Sequence, residues 1–95
     1  MIRAAKIDSN QAEIVTQLRS IPGISVRSVA QLKGFCDIIV GYKNQNFLFE
    51  IKQTEKSQLT FKEKLFHRQW KGQVKTVTNV EQILIAIGAT YYANN

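Results

Sequence analysis

Apolar residues first recur at helical spacing between Asp8 and Ile21, where Ile14, Leu18 and Ile21 fall on one stripe. Asp8 with Gln11 fits a capping box at the start of this predicted helix, and Pro22-Gly23 ends it. Glu13 lies at the edge of the stripe, on the same flank as Gln17, where a cleft between core and solvent can open. From Ile24 to Val29 apolar and polar residues alternate, the pattern of a strand with one wet face. Phe35 to Val40 is almost continuously apolar and predicts a strand covered on both faces. Tyr42 to Asn46 is polar and turn-like, and Phe47 to Lys52 predicts a third strand.

After a polar connection, Leu59 to Gly72 predicts a second helix ended by Gly72. Its apolar stripe is Leu59, Phe66 and Trp70, with Glu63 inside it, so Trp70 is expected in the core rather than exposed for base stacking. Val74 to Thr78 reads as a short strand and Val80 to Gly88 as a last helix with Ile83, Leu84 and Ile87 inward. The tail 89–95 is expected to fray. The resulting order, α-β-β-β-α-β-α, is that of an α/β fold with helices on the faces of a sheet. At 95 residues the chain is expected to be a single domain, with its core over about residues 9–88.

Charge sharpens this picture. Thirteen Lys and Arg stand against seven Asp and Glu, a net charge of +6, which suits a polyanionic partner such as nucleic acid as well as plain solubility. No apolar run reaches the roughly 20 residues of a membrane span. The N-terminal residues lack the apolar stretch of a secretory signal, so a reducing cytoplasm is the expected compartment (that of a host cell if the chain is viral). Cys36, the only cysteine, reads as a buried inert thiol, and His67, the only histidine, as a packed residue. No zinc-ligand spacing and no Gly-rich phosphate loop is present.

Three charged residues interrupt the apolar strands: Asp37 in one, Glu50 and Lys52 in the next. Residues two apart in a strand share a face, so Glu50 and Lys52 project together while Phe47, Phe49 and Ile51 fill the opposite face. A hairpin with the four-residue loop Tyr42 to Gln45 pairs Gly41 with Asn46, and the same register sets Asp37 opposite Glu50. Directly opposite residues have Cβ atoms about 4.5–5.5 Å apart. Two carboxylates that close repel unless a cation separates them, and a hard divalent ion such as Mg²⁺ fits. Lys52 would then position a water or stabilise phosphate charge. By themselves the three residues fit a structural ion cluster equally well.

Gly34-Phe35-Cys36-Asp37, followed after twelve residues by Glu50-Ile51-Lys52, resembles the PD-(D/E)xK nuclease superfamily. More closely, the chain resembles a stand-alone VRR-type nuclease domain, the short virus-associated branch. An acid on the first helix (Glu13), the Gly three residues before Asp37, and Leu59-Thr60-x-x-Glu63-x-x-Phe66-His67 after the E-x-K all match. Cys36 stands at a usual Pro and Glu63 at a usual Gln. The resemblance implies a restriction-endonuclease-like mixed central sheet flanked by helices, Mg²⁺ or Mn²⁺ as cofactor, and hydrolysis of DNA phosphodiesters. It implies Asp37, Glu50 and Lys52 as catalytic residues. Metal ligands would be Asp37, Glu50, the Ile51 carbonyl and Glu13, with Glu63 reaching the cleft. It further implies a homodimer acting on branched DNA such as a four-way junction.

Lys64, Arg68 and Lys71 are candidate phosphate contacts, and Phe61 and Leu65, off the main stripe, a candidate dimer contact. Two alternatives stay open: a non-catalytic DNA-binding module that retains the fold, and a sequence-specific restriction-type nuclease.

Overall fold

The computed structural model describes residues 9–90. Its elements are α1 (Ser9–Arg19), β1 (Ile24–Ser28), β2 (Ile38–Tyr42), β3 (Gln45–Ile51), α2 (Phe61–Gln69), β4 (Lys75–Val77) and α3 (Val80–Ile87). This is the expected α-β-β-β-α-β-α order, and the sheet is mixed. β1, β2 and β3 run antiparallel and β4 lies parallel to β3, in the order β1-β2-β3-β4. The expected cap Asp8 and most of the expected fraying tail lie outside the described residues.

Local chemistry sets most of the boundaries. α1 stops at Arg19 rather than Ile21, because the chain tightens into i→i+3 bonds from Ser20 and Ile21 before Pro22. Gly23, at φ 88°, then turns it into β1. The β2–β3 hairpin keeps the expected register, with Gly41 opposite Asn46. Tyr42 and Gln45 also pair, so the loop is two residues, Lys43-Asn44, rather than the four expected. Both have positive φ (50° and 66°), the two-residue shape whose twist matches that of the strands. Where β4 has not yet begun, the Gln73 side chain substitutes for a strand. Its amide accepts from Leu48 N at 2.6 Å and donates to Leu48 O at 3.0 Å, satisfying the open edge of β3.

One face of the sheet carries the core. Ile14, Val15 and Leu18 of α1 and Ile83, Leu84 and Ile87 of α3 pack on Val26, Ile38, Val40, Phe49, Ile51 and Val77. The alternation of β3 therefore works as expected, with Phe49 and Ile51 inward and Glu50 on the other face. Asn79 caps α3 by accepting from Gln82 N, and Gly88 ends it in the left-handed region at φ 90°. That turn returns Ala89 N to Leu84 O at 2.8 Å and seats Ala89 in the core at 2% exposure, so the tail does not begin at Ala89 as expected.

α2 covers the opposite face, and it differs most from expectation. Thr60 and Glu63 form a reciprocal capping box, so the helix starts at Phe61 rather than Leu59. It ends at Trp70, which is extended (φ −72°, ψ 127°), and Gly72 is not its terminator. No residue of α2 is fully buried, and Trp70, expected in the core, is 42% exposed. The reason is the surface beneath. This face of the sheet presents Glu50 and Lys52 to α2, so polar contacts share that interface with the packing of Phe66 and Trp70 on Phe35. No helix among the described residues is long and apolar enough to cross a membrane.

Asn10 ties the first turn of α1 to the ends of β3 and β4, donating to Lys52 O at 2.9 Å and Thr78 O at 3.2 Å. Asn10→Ala is expected to cost about 1–3 kcal/mol in urea unfolding, since two carbonyls lose their donor. A change under about 0.3 kcal/mol would contradict this bracing role.

Candidate functional site

Asp37 stands at the lip of the sheet, one residue before β2 rather than inside it as expected. The regular β2–β3 ladder ends at Ile38, and the chain around Asp37 bends to make three bonds of its own. Asp37 N donates to Phe49 O at 3.0 Å, and Asp37 O accepts from Val29 N at 2.8 Å. The carboxylate Oδ2 accepts from Ile51 N at 2.7 Å. This anchoring holds the side chain toward β3, where Glu50 projects from the same end.

Glu50 is 1% exposed. Burial first, then the hydrogen bond and charge of Asp37, then the charge of Glu63, push its carboxyl up to about 9. Its Oε1 is buried with no hydrogen-bond partner. Facing it at 3.7 Å is Nε2 of His67, which is also buried and unpartnered. That separation falls within ion-pair range, yet burial lowers the His67 pKa while the Glu50 pKa is raised. At neutral pH the two therefore meet as uncharged groups, and 3.7 Å is too long for a hydrogen bond. Two buried polar atoms that point at each other without bonding define a polar gap between β3 and α2.

Lys52, two residues along the same face, donates from Nζ to Glu63 Oε1 at 2.7 Å. That oxygen also accepts from Thr60 N at 2.8 Å. Burial works against the Glu63 charge, but the Lys52 and Thr60 donors outweigh it and hold the carboxyl below its ordinary value. Glu63 thus does two things: it caps α2 and it docks that helix on Lys52.

Behind the polar groups, Phe35, Phe66 and Trp70 pack together. Phe35 meets Phe66 edge-on at 5.3 Å and Trp70 at 5.8 Å, and Phe66 meets Trp70 at 5.2 Å. Cys36 is 1% exposed, and burial followed by the Glu50 charge raises its thiol to about 11. It is the inert buried thiol expected from its apolar surroundings.

Asp37, Glu50, Lys52 and Glu63 thus come together, and the Ile51 backbone joins them. Ile51 N–H points at Asp37 while Lys52 N–H turns to Val77 O at 2.9 Å. In an extended strand a residue's N–H and C=O face the same edge, so the Ile51 carbonyl also turns toward Asp37. Glu13 is placed elsewhere. It is exposed and lines a cavity of about 470 Å³ between α1 and α3, with Gln17, Asn79 and Glu81. Lys64 and Arg68 are exposed one turn apart on α2, and Lys71 is exposed just beyond its end. Among the described residues no three His, Cys, Asp or Glu side chains form a ready-made metal cage.

Two contributors were not assigned to the site from the sequence, where His67 reads as a packed or hydrogen-bonded residue and Asn10 is not singled out. His67 follows Glu63 by four residues, so helical spacing alone places both on one side of α2. For Asn10, whose partners are carbonyls far along the chain, the sequence carries no signal. No family model, curated protein or solved structure matches the chain.

Proposed function

We propose that the chain is a divalent-metal-dependent DNA endonuclease whose centre is Asp37, Glu50 and Lys52. The observation that carries this reading is the Glu50 carboxyl. It is buried against Asp37, has one oxygen without a hydrogen-bond partner, and is pushed up to about 9 by that burial and by Asp37. An acid pair that must hold a proton when alone is a pair suited to a cation. Asp37, Glu50 and the Ile51 carbonyl offer hard oxygen donors at one end of β3, which fits Mg²⁺ or Mn²⁺. Magnesium commonly takes one or two carboxylates and keeps several waters, so a full protein cage is not required. When bound, the ion supplies charge that polarises a phosphate and acidifies a water. Glu13, on the α1–α3 side, is left out of this ligand set.

The remaining roles follow from position. Lys52 presents an ammonium beside the carboxylates, where it orients a water or steadies charge on the phosphate. Glu63 holds that ammonium in place, and Asn10 holds the Lys52 backbone. The net charge of +6 favours a polyanionic substrate. Lys64, Arg68 and Lys71 are the candidate phosphate contacts. Action as a homodimer on branched DNA belongs to the same proposal, since one centre per chain cuts one strand at a time.

The test is Asp37→Asn, which can still accept the Ile51 N–H but lacks the charge to hold a cation. Cleavage of linear, flapped and four-way DNA with Mg²⁺ or Mn²⁺ is expected to fall at least about a thousandfold, the equivalent of about 4 kcal/mol. Salt-dependent DNA binding is expected to persist in EDTA. Undiminished cleavage by this variant would remove Asp37 from the centre.

A further inference from the structure

We infer that Trp70, backed by Phe35 and Phe66, is a stacking platform for an unpaired nucleobase, and that the centre therefore acts on DNA carrying a single-stranded segment. This rests on the nuclease reading and narrows its substrate. A tryptophan that served only as core would be covered, whereas Trp70 is 42% exposed. It is nevertheless held in place rather than loose. Its backbone N–H donates to Phe66 O at 2.9 Å, and Phe35 and Phe66 brace the ring from within. Gly72 approaches so closely that a Cβ there would lie 3.0 Å from the indole Nε1. An ordered indole with an open surface pre-organises a stacking contact, because little freedom remains to be lost on binding.

The surroundings select the occupant. Lys33, Arg68 and Lys71 are exposed near the platform in the chain, and no Asp or Glu occurs from Lys64 to Lys75 or from Ile24 to Cys36. Aromatic surface combined with uncompensated positive charge matches a single-stranded polyanion whose bases have free faces. A blunt duplex hides those faces in its own stack and gains only the charge. The platform also has the right neighbour. Trp70 follows His67 by three residues, a rise of roughly 4.5 Å along α2, and His67 Nε2 faces Glu50. A base stacked on Trp70 would bring an adjoining phosphate toward the carboxylates.

Trp70 is the sole tryptophan, so its emission reports on this position alone. Wild type in EDTA is titrated with oligothymidylate, with a blunt duplex of equal length, and with phosphatidylserine vesicles. Emission is expected to be quenched by the oligothymidylate and to change little with the other two. Trp70→Ala is expected to weaken oligothymidylate binding about 5- to 100-fold and duplex binding less than twofold. Trp70→Phe, which keeps a ring in the same packing, should retain most of the affinity and guards against loss of the fold. Oligothymidylate that binds with no change in emission would overturn the inference, as would equal losses for single strand and duplex in Trp70→Ala. A blue shift with vesicles and none with DNA would assign the face to a membrane surface instead. Adding Mg²⁺ separates the two claims. Quenching without cleavage upholds the platform and removes the nuclease reading, while cleavage without quenching does the reverse.

Discussion

Glu50→Gln is expected to make the metal-free protein more stable at pH 8 while abolishing cleavage. In the folded chain the Glu50 carboxyl is pushed up to about 9, against an ordinary value of 4.5. The folded state therefore binds a proton more tightly than the unfolded state, and this contribution to stability is complete below about pH 4.5. It declines as the pH rises from there toward about 9. Glutamine has nearly the same shape and no charge to desolvate, so it escapes that loss and can donate to Asp37. At pH 8 in EDTA the gain should be about 2–4 kcal/mol, allowing for imperfect hydrogen bonding. That corresponds to a rise in melting temperature of roughly 10–20 °C for a domain of this size. Near pH 4.5 the two proteins should melt together. With Mg²⁺ the order should narrow or reverse under the proposed function, in which only the wild type has the carboxylate pair to hold the ion. A Gln variant that melts below wild type at pH 8 in EDTA would refute the account of Glu50.

Lys52→Met should have the opposite signature. It removes the ammonium paired with Glu63 at 2.7 Å and leaves the Glu50 carboxyl facing an uncompensated neighbour. The Lys52 and Glu63 side chains are 15% and 24% exposed, so water screens part of the change. A loss of about 2–3 kcal/mol at pH 7 is expected, below that of a fully buried pair. The Glu63 carboxyl is held below its ordinary value of 4.5. Its stabilising contribution is therefore present above 4.5 and disappears as the pH falls through the lower folded value. The penalty of Lys52→Met should accordingly shrink on acidification, and adding Glu63→Gln should recover much of it at pH 7. Under the proposed function the ammonium also steadies charge in the reaction, so cleavage should fall about a hundredfold or more even after that recovery. Full activity in the stabilised double variant would confine Lys52 to a structural role.

Element order and the inward face of β3 could be read from the residues alone, because both depend on short-range periodicity. Phe49 and Ile51 alternate with Glu50 and Lys52, and a strand can only send the two sets to opposite faces. The hairpin register was equally legible, since the four-residue loop expected from Tyr42 to Gln45 and the two-residue turn that forms at Lys43-Asn44 both pair Gly41 with Asn46. The exact start of β2 was not, because the bonds of Asp37 to Val29, Phe49 and Ile51 join three separate segments.

The fate of α2 was decided only in three dimensions. Its stripe of Leu59, Phe66 and Trp70 promised a buried helix, but burial depends on the partner surface as well as on the stripe. β3 offered that side a carboxyl and an ammonium, so α2 is fastened by Glu63 on Lys52 and by Phe66 on Phe35, and Trp70 is left open. Glu13 was decided in the same way. It lies three residues from Asn10 on α1 and lines the same cavity against α3, but it is the Asn10 amide that bonds to the end of β3. Charge, chemistry and periodicity are properties of residues along a chain. Which carboxylates share a gap, and which aromatic ring remains exposed, depends on how separate faces meet, and only the tertiary packing brings those faces together.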